Sequence, residues 1–160
     1  MSTLIFITGT ICSGKTTMAK RISESLGIGV VNETNTNGFF GIIDEIQGNA
    51  FISPVIVEHA EVYNLLNEKR KHYIGGDFDK VIVILINVAD DILADNLAER
   101  KSQNAIGDYL NIDMFEMKAQ IKSYFDEMNC TAKYVANINT VEDYEREFTE
   151  IVLKLQDVLR

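Results

Sequence analysis

The residues with the clearest chemical potential form one uninterrupted run, Gly9-Thr-Ile-Cys-Ser-Gly-Lys-Thr16. The run fits the pattern G-x-x-x-x-G-K-[ST], in which glycines let the backbone fold so that its N–H groups surround an anion. Lys15 supplies a positive charge for the β- and γ-phosphates of a nucleotide, and the hydroxyl of Thr16 can bind Mg²⁺. The predicted nucleotide-binding residues are Gly9, Thr10, Ile11, Cys12, Ser13, Gly14, Lys15, Thr16 and Thr17.

The elements around this run must place it between a strand and a helix. Leu4–Ile7 is a short apolar run of the kind that forms a buried strand, and it leads directly into the glycines. After the run, Ser13 can cap a helix that extends to Leu26 and stops at Gly27. A strand, a glycine-rich turn and a helix in this order are the context that the motif requires.

The rest of the chain repeats the alternation of strand and helix. Further strands are predicted at Gly29–Val31, Phe51–Val57, Val81–Ile86 and Lys133–Ala136. Helices are predicted at Gly38–Gln47, from His59 to about Lys71, from Asp90 to Arg100, from Met114 to Met128 and from Thr140 to Leu159. Strands alternating with helices predict an α/β fold, a parallel sheet covered by helices on both faces.

Composition and charge limit the classes of protein. The 160 residues predict a single domain spanning 1–160, and 46% hydrophobic with 24% charged residues excludes disordered and collagen-like chains. Two cysteines are too few for a disulfide framework, and no signal peptide or membrane span is apparent, so we expect a cytoplasmic protein with reduced thiols. The net charge of −9 disfavours a broad surface for nucleic acid or anionic membrane.

The motif and its flanking elements resemble those of the small P-loop kinases, the group that includes shikimate, adenylate, polynucleotide and deoxynucleoside kinases. Only the loop is specific in sequence, while the order of elements agrees over nearly the whole chain. The resemblance implies a three-layer fold with a five-stranded parallel sheet of order 2-3-1-4-5. It also implies ATP and Mg²⁺ as cofactors and a mobile lid after the fourth strand. The guanine motif N-K-x-D is absent from the sequence, which disfavours the GTPases.

The resemblance gives roles to carboxylates that follow the predicted strands. Glu58 ends the third strand, and in the strand order of the family it lies near the γ-phosphate, where an acid can hold Mg²⁺ or its water ligands. Its alternative role is to cap the next helix, and His59 follows where related enzymes often carry an arginine. Glu33, after the second strand, resembles the general base of deoxynucleoside kinases, and Asp44 and Glu45 compete for that role.

The lid and the adenine site are likewise implied by the resemblance. Arg100 and Lys101 end the helix that leads into the lid, and Arg100 is expected to close over the transferred phosphate. The alternative for Arg100 is a cation that stabilises the helix C-terminus. Gly107 can help a short lid to move. By family position, the loop predicted to begin at Asn137 is expected to contact adenine.

Charge also bears on the acceptor substrate. Residues 31–60 contain four acids and no Lys or Arg, and in this fold they build much of the acceptor pocket. Nucleoside monophosphate kinases place arginines there for the acceptor phosphate. We therefore expect an uncharged hydroxyl acceptor, such as a nucleoside or nucleobase-type alcohol, with ATP as the donor.

Three other functions stay open. One is a bacteriophage-type kinase that phosphorylates 5-hydroxymethyluracil in DNA, which would require the base to leave the stack. The others are a nucleoside monophosphate kinase and a non-catalytic NTP-binding protein. The basic segment Lys69–Tyr73 suits a phosphate backbone if the substrate is a polynucleotide, and is otherwise a solvated helix end. The sequence predicts no particular oligomeric state.

Overall fold

A computed structural model describes residues 2–32, 38–49, 54–59, 63–71, 73–102 and 113–160. The protein is built on a five-stranded parallel sheet in the order β2-β3-β1-β4-β5. The strands are β1 (Thr3–Thr8), β2 (Val30–Val31), β3 (Val55–Glu58), β4 (Lys80–Val88) and β5 (Ala132–Ile138). The predicted fold class and strand order are confirmed.

Helices cover both faces of the sheet and complete the three layers. They are α1 (Lys15–Leu26), α2 (Gly38–Asn49), α3 (Tyr63–Leu66), α4 (Asp90–Ser102), α5 (Met114–Glu127) and α6 (Asp143–Val158), with a 3₁₀ turn at Gly75–Asp77. Buried residues of α1, α4 and α6 share one apolar cluster with alternate residues of the strands. Buried residues of α2, α3 and α5 share the other cluster with the remaining strand residues.

The central strand explains why the sheet forms in this order. Every residue of β1 is buried, and the strand lies between β3 and β4, so both of its faces are covered by helices. Ile5 and Ile7 pack on the α1 side, whereas Leu4 and Phe6 pack on the α5 side. A strand buried on both faces needs a continuous apolar run rather than an alternating one, and β1 has such a run.

Several helix boundaries differ from the predictions by a few residues, and one predicted cap is not formed. Helix α3 ends at Leu66 instead of Lys71, because Asn67 turns the chain, its side chain accepting a hydrogen bond from the Lys69 N–H at 3.0 Å. Helix α6 begins at Asp143 instead of Thr140. The Ser13 side chain does not cap α1, whose N-cap residue is Gly14. Within the ranges given above, no helix is long and apolar enough to cross a membrane.

Candidate active site at the phosphate-binding loop

The loop between β1 and α1 has the backbone of an anion-binding turn. Gly14 has φ 82°, in the left-handed region that favours glycine, and α1 begins at the next residue. Cys12 also has a positive φ, 63°, which is uncommon for a residue with a side chain. The start of a helix presents N–H groups that the helix itself does not use, and such groups suit an anion.

The interior of the loop explains the first glycine. A Cβ atom at Gly9 would lie 2.7 Å from Ser13 Oγ and 3.0 Å from the carbonyl oxygen of Ile86. The Ser13 hydroxyl is turned under the loop, fully buried, and among the described residues it has no hydrogen-bond partner. Because its hydroxyl points inward, Ser13 does not cap α1. The cap that the sequence predicted at Ser13 is therefore not formed.

Lys15 lies against the loop that precedes it. Its Nζ donates a hydrogen bond to the carbonyl oxygen of Thr10 at 3.4 Å. The ammonium group is therefore held over the loop, where the motif predicts that phosphates bind. Thr10 itself is buried, and its hydroxyl lies 3.4 Å from the carbonyl oxygen of Met114, the first residue of α5.

A carboxylate from β3 meets the hydroxyl that follows Lys15. Thr16 Oγ1 donates a hydrogen bond to Glu58 Oε1. Glu58 is the last residue of β3, in register with Ile7 of β1, and its exposure is only 7%. The adjacent strand order predicted from the resemblance thus brings the two expected Mg²⁺ ligands together. His59 extends the pairing, since its N–H donates to the carbonyl oxygen of Ile7 at 3.1 Å.

Two side chains from distant helices hold the outer side of the loop. Asn96 of α4 donates from Nδ2 to the carbonyl oxygen of Cys12 at 2.8 Å. The hydroxyl of Tyr144, on α6, donates to the carbonyl oxygen of Ser13 at 2.9 Å. Sequence reasoning missed both residues. An Asn within a helix and a Tyr on an apolar stripe carry no motif, and their partners are backbone atoms 84 and 131 residues away.

The surroundings of Tyr144 also form a cavity. Burial raises the pKa of the Tyr144 hydroxyl, and a hydrogen bond from Asn96 partly offsets that rise, so the hydroxyl stays protonated at neutral pH. The cavity beside the loop has a volume of about 250 Å³. Its lining residues are Gly14, Thr17, Met18, Arg21, Asn96 and Tyr144.

Arg21 closes the outer side of this cavity. Its guanidinium stacks on the ring of Phe148 at 4.0 Å and forms an ion pair with Glu145 at 3.0 Å. Stacking and pairing of this kind fix the planar guanidinium in one orientation. The positive charge next to the cavity is therefore partly balanced.

The remaining predicted catalytic residues are placed as follows. Arg100 is partly exposed in the last turn of α4, four residues after Asn96 and hence on the same side of that helix, and Lys101 is exposed. Asp44 is exposed on α2, roughly opposite the buried Ile42 and Ile46 of the same helix. Glu33 and Gly107 lie outside the described residues.

Asn137 does not lie in the loop after β5. The strand ends at Ile138, two residues later than predicted, so Asn137 lies within it and accepts a hydrogen bond from Asn87 of β4 at 2.9 Å. Its neighbours Ala136 and Ile138 point to the side of α1, α4 and α6, so Asn137 points to the opposite side of the sheet. The loop after β5 begins at Asn139 instead. Its backbone is held by Asp143, whose carboxylate accepts from the N–H groups of Asn139 and Thr140.

Thr16 and Glu58 are the two residues predicted from the sequence to bind a metal ion. In the described part of the chain, no three His, Cys, Asp or Glu side chains gather as a protein-only metal site. A hydroxyl and one carboxylate suit Mg²⁺, which commonly takes one or two protein oxygens and completes its shell with phosphates and water. The donor set therefore fits a nucleotide-bound magnesium ion.

Comparison with known proteins rests on structure alone. No protein-family model matches the sequence, and no curated protein matches it. A sugar kinase from Janibacter sp. HTCC2649 is similar in structure, with a TM-score of 0.66 and 10% identity over 98% of this chain and 95% of its own.

Two further solved structures are similar and contain nucleotides. The YorR protein of Bacillus subtilis, in complex with phosphorylated GDP, has a TM-score of 0.66 and 15% identity over 96% of this chain and 95% of its own. Deoxyadenosine kinase of M. mycoides, with its products dCMP and dCDP, has a TM-score of 0.61 and 16% identity over 96% and 99%. At these identities the likeness establishes the fold, which is that of the P-loop kinases.

Proposed function

We propose that this protein is an ATP- and Mg²⁺-dependent kinase that transfers the γ-phosphoryl group to a hydroxyl acceptor, a nucleoside or nucleobase-type alcohol. The observation that supports this most is the contact between Thr16 and Glu58 next to Lys15. It places a hydroxyl, a carboxylate and an ammonium group around one turn of backbone, as phosphoryl transfer requires. A magnesium ion held by Thr16 and Glu58 would neutralise phosphate charge there.

In phosphoryl transfer the protein contributes mainly by positioning the reactants and by stabilising charge. The acceptor oxygen attacks the γ-phosphorus, forming a new P–O bond while the bond to the oxygen bridging the β- and γ-phosphorus atoms breaks. The acceptor proton passes to a carboxylate, for which Glu33 and Asp44 are the candidates. The products are ADP and the phosphorylated alcohol. Lys15 and the N–H groups at the start of α1 stabilise the charge that moves toward ADP.

Arg100 is the candidate for charge stabilisation from the lid side. Asn96 touches the loop at the Cys12 carbonyl, and Arg100 follows one helical turn later, about 6 Å along the axis of α4. We infer that its guanidinium extends from this side of α4 toward phosphates bound in the loop. Its planar fork can contact two phosphate oxygens at once, which suits a transferred phosphoryl group.

The cavity beside Gly14 is the proposed site for the nucleoside part of ATP. It opens next to Thr17, just after the loop residues expected to bind the phosphates. Arg21 borders it, but its ion pair with Glu145 leaves less positive charge for a further anion. A neutral base and ribose therefore suit this cavity better than another phosphate does.

The acceptor class follows from the charges of residues 31–60, which include no Lys or Arg. A monophosphate placed near Glu58 and Asp44 without a local cation would be repelled. Two unit charges about 4 Å apart interact by roughly 4 kcal/mol at an effective dielectric constant near 20. A neutral hydroxyl avoids this repulsion and gains a carboxylate to accept its proton.

The test is transfer of labelled γ-phosphate from ATP to a panel of nucleosides, nucleoside monophosphates, small alcohols, and DNA with plain or hydroxymethylated bases. We expect hydroxyl acceptors to exceed monophosphates by about tenfold in kcat/KM, equivalent to ~1.4 kcal/mol. Lys15→Ala should abolish transfer. Lys20→Ala, which removes an exposed lysine from the same helix, should leave it unchanged.

Each other outcome points to one of the alternatives. Efficient conversion of a monophosphate to its diphosphate would make the protein a nucleoside monophosphate kinase. Labelling confined to hydroxymethylated DNA would make it a nucleic-acid kinase, with the exposed residues Lys69, Arg70 and Lys71 as candidate backbone contacts. Nucleotide binding without transfer to any acceptor would indicate a non-catalytic NTP-binding protein.

A further inference from the structure

The phosphate-binding loop contains a strained backbone conformation that needs support from neighbouring residues. Cys12 adopts φ 63°, which costs a residue with a side chain on the order of 1–3 kcal/mol and persists only where the surrounding structure enforces it. Within the loop, the Ser13 N–H donates to the Thr10 carbonyl oxygen at 3.3 Å, close to the limit for such a bond. This long bond gives the conformation of the loop only weak support.

The two carbonyls that flank Ser13 are held from outside, and this fixes the orientation of two peptide planes. The C=O and N–H groups of a trans peptide point in opposite directions. Asn96 holds the Cys12 carbonyl outward, which turns the Ser13 N–H inward. Tyr144 holds the Ser13 carbonyl outward, which turns the Gly14 N–H toward the side of the loop where phosphate is expected.

The two outside residues line the same cavity beside the loop. Asn96 is bonded to the Cys12 carbonyl and Tyr144 to the Ser13 carbonyl. The ring of Tyr144 also packs against Gly14, where a Cβ atom would lie 3.1 Å from Tyr144 Cε1. Together the two residues therefore reach three consecutive loop residues, Cys12, Ser13 and Gly14.

We propose that Asn96 and Tyr144 are positioning residues, which set the peptide planes of the phosphate-binding loop in the nucleotide-binding orientation before the nucleotide arrives. Since Asn96 and Arg100 share one side of α4, the same contact also sets the distance between the loop and the proposed lid arginine. This inference rests on the proposed nucleotide function of the loop.

The test uses two variants that remove the hydrogen bonds and retain most of the volume, Tyr144→Phe and Asn96→Leu. The matched control is Tyr134→Phe, which removes a hydroxyl bonded to Glu147 of α6 at 2.5 Å instead of to a loop carbonyl. Two measurements are made on each protein: amide hydrogen exchange of the peptide covering Gly9–Thr16 without nucleotide, and calorimetric titration with ADP and Mg²⁺.

We expect faster exchange in the loop peptide and an ADP dissociation constant raised by about three- to tenfold in both test variants, as for loss of one ordinary hydrogen bond. Tyr134→Phe should melt at a lower temperature but keep the wild-type ADP affinity and loop exchange. The double variant should weaken ADP binding by less than the product of the single effects, because the two residues hold adjacent peptides of one loop.

Three results would overturn the proposal. Faster loop exchange with unchanged ADP affinity would show that the bonds are only structural. Unchanged exchange in the loop would show that they hold nothing in place. If the wild-type protein binds neither ADP nor ATP, the nucleotide function itself is wrong, and the positioning role fails with it. Should Asn96→Leu not fold, Tyr144→Phe decides alone, since its ring still fills the same space.

Discussion

Replacing either of two glycines by alanine separates backbone strain from steric conflict at the loop. Gly14 and Gly27 both have positive φ, 82° and 68°, and they stand at the two ends of α1. A Cβ atom at Gly27 would meet nothing within 4 Å, whereas one at Gly14 would lie 3.1 Å from the ring of Tyr144. Both substitutions therefore cause backbone strain, but only Gly14→Ala also brings a methyl group against the ring of Tyr144.

The shared cost is that of placing an L side chain in the left-handed region, about 1–2 kcal/mol. The additional cost at Gly14 depends on whether the Tyr144 ring can move away. That ring is anchored by its hydroxyl to the Ser13 carbonyl, so its displacement would break a 2.9 Å hydrogen bond. Overpacking of this kind typically costs about 1–3 kcal/mol. We expect Gly14→Ala to be less stable than Gly27→Ala by about 2 kcal/mol, the middle of that range.

Thermal unfolding and ADP titration of both variants give the assay. For a chain of this length, 1 kcal/mol shifts Tm by about 2–4 °C, so Gly14→Ala should melt roughly 6 °C below Gly27→Ala. Only Gly14→Ala should lose ADP affinity, because only there do the loop N–H groups move. Equal Tm values for the two variants would refute the steric argument. Wild-type ADP affinity in Gly14→Ala would refute the assignment of the loop.

Two further predictions concern single carboxylates. Glu58→Gln keeps the shape of the side chain but removes a charge beside Thr16, so kcat should fall more than tenfold and recover partly in excess Mg²⁺. The measurement is the transfer rate as a function of Mg²⁺ concentration. An unchanged kcat would leave Glu58 with a structural role only. The N–H groups of Asn139 and Thr140 lower the pKa of Asp143, so this carboxylate adds stability at pH values above the unfolded-state pKa, near 4, that is lost as pH falls through its lower folded-state pKa. Asp143→Asn should therefore reduce Tm at pH 7 more than at pH 3, and an equal reduction at both pH values would contradict the assigned cause.

The parts of the site that follow from contiguous sequence were predictable. The loop motif is uninterrupted, so Gly9 through Thr16 had to lie together at the end of one strand. Glu58 was predicted at the loop because parallel strands end at one edge of the sheet, and the strand order of the resembling family places β3 beside β1. The structure places Glu58 in contact with Thr16, and its role at the γ-phosphate stays a prediction.

The parts that depend on single side-chain directions were not predictable. Ser13 has the right type for a helix cap, but Gly9 leaves a space beneath the loop and the hydroxyl turns into it. Asn137 lies in β5, where one residue of shift reverses the side of the sheet that a side chain faces. Asn96 and Tyr144 bind backbone carbonyls, and any residue type offers a carbonyl, so no pattern in the loop specifies them.

The central position of β1 has a consequence for how the chain folds as it is made. The strand precedes its partners, since β3 ends at Glu58 and β4 begins only at Lys80. At a synthesis rate of about 5–20 residues per second, β1 waits roughly 3–10 s for its first neighbour, with an apolar surface that is later buried on both faces. During this interval its unpaired edges and apolar surface favour pairing with another chain. We expect newly made protein to depend on chaperones that bind short apolar segments, although β1 is fully buried in the folded protein.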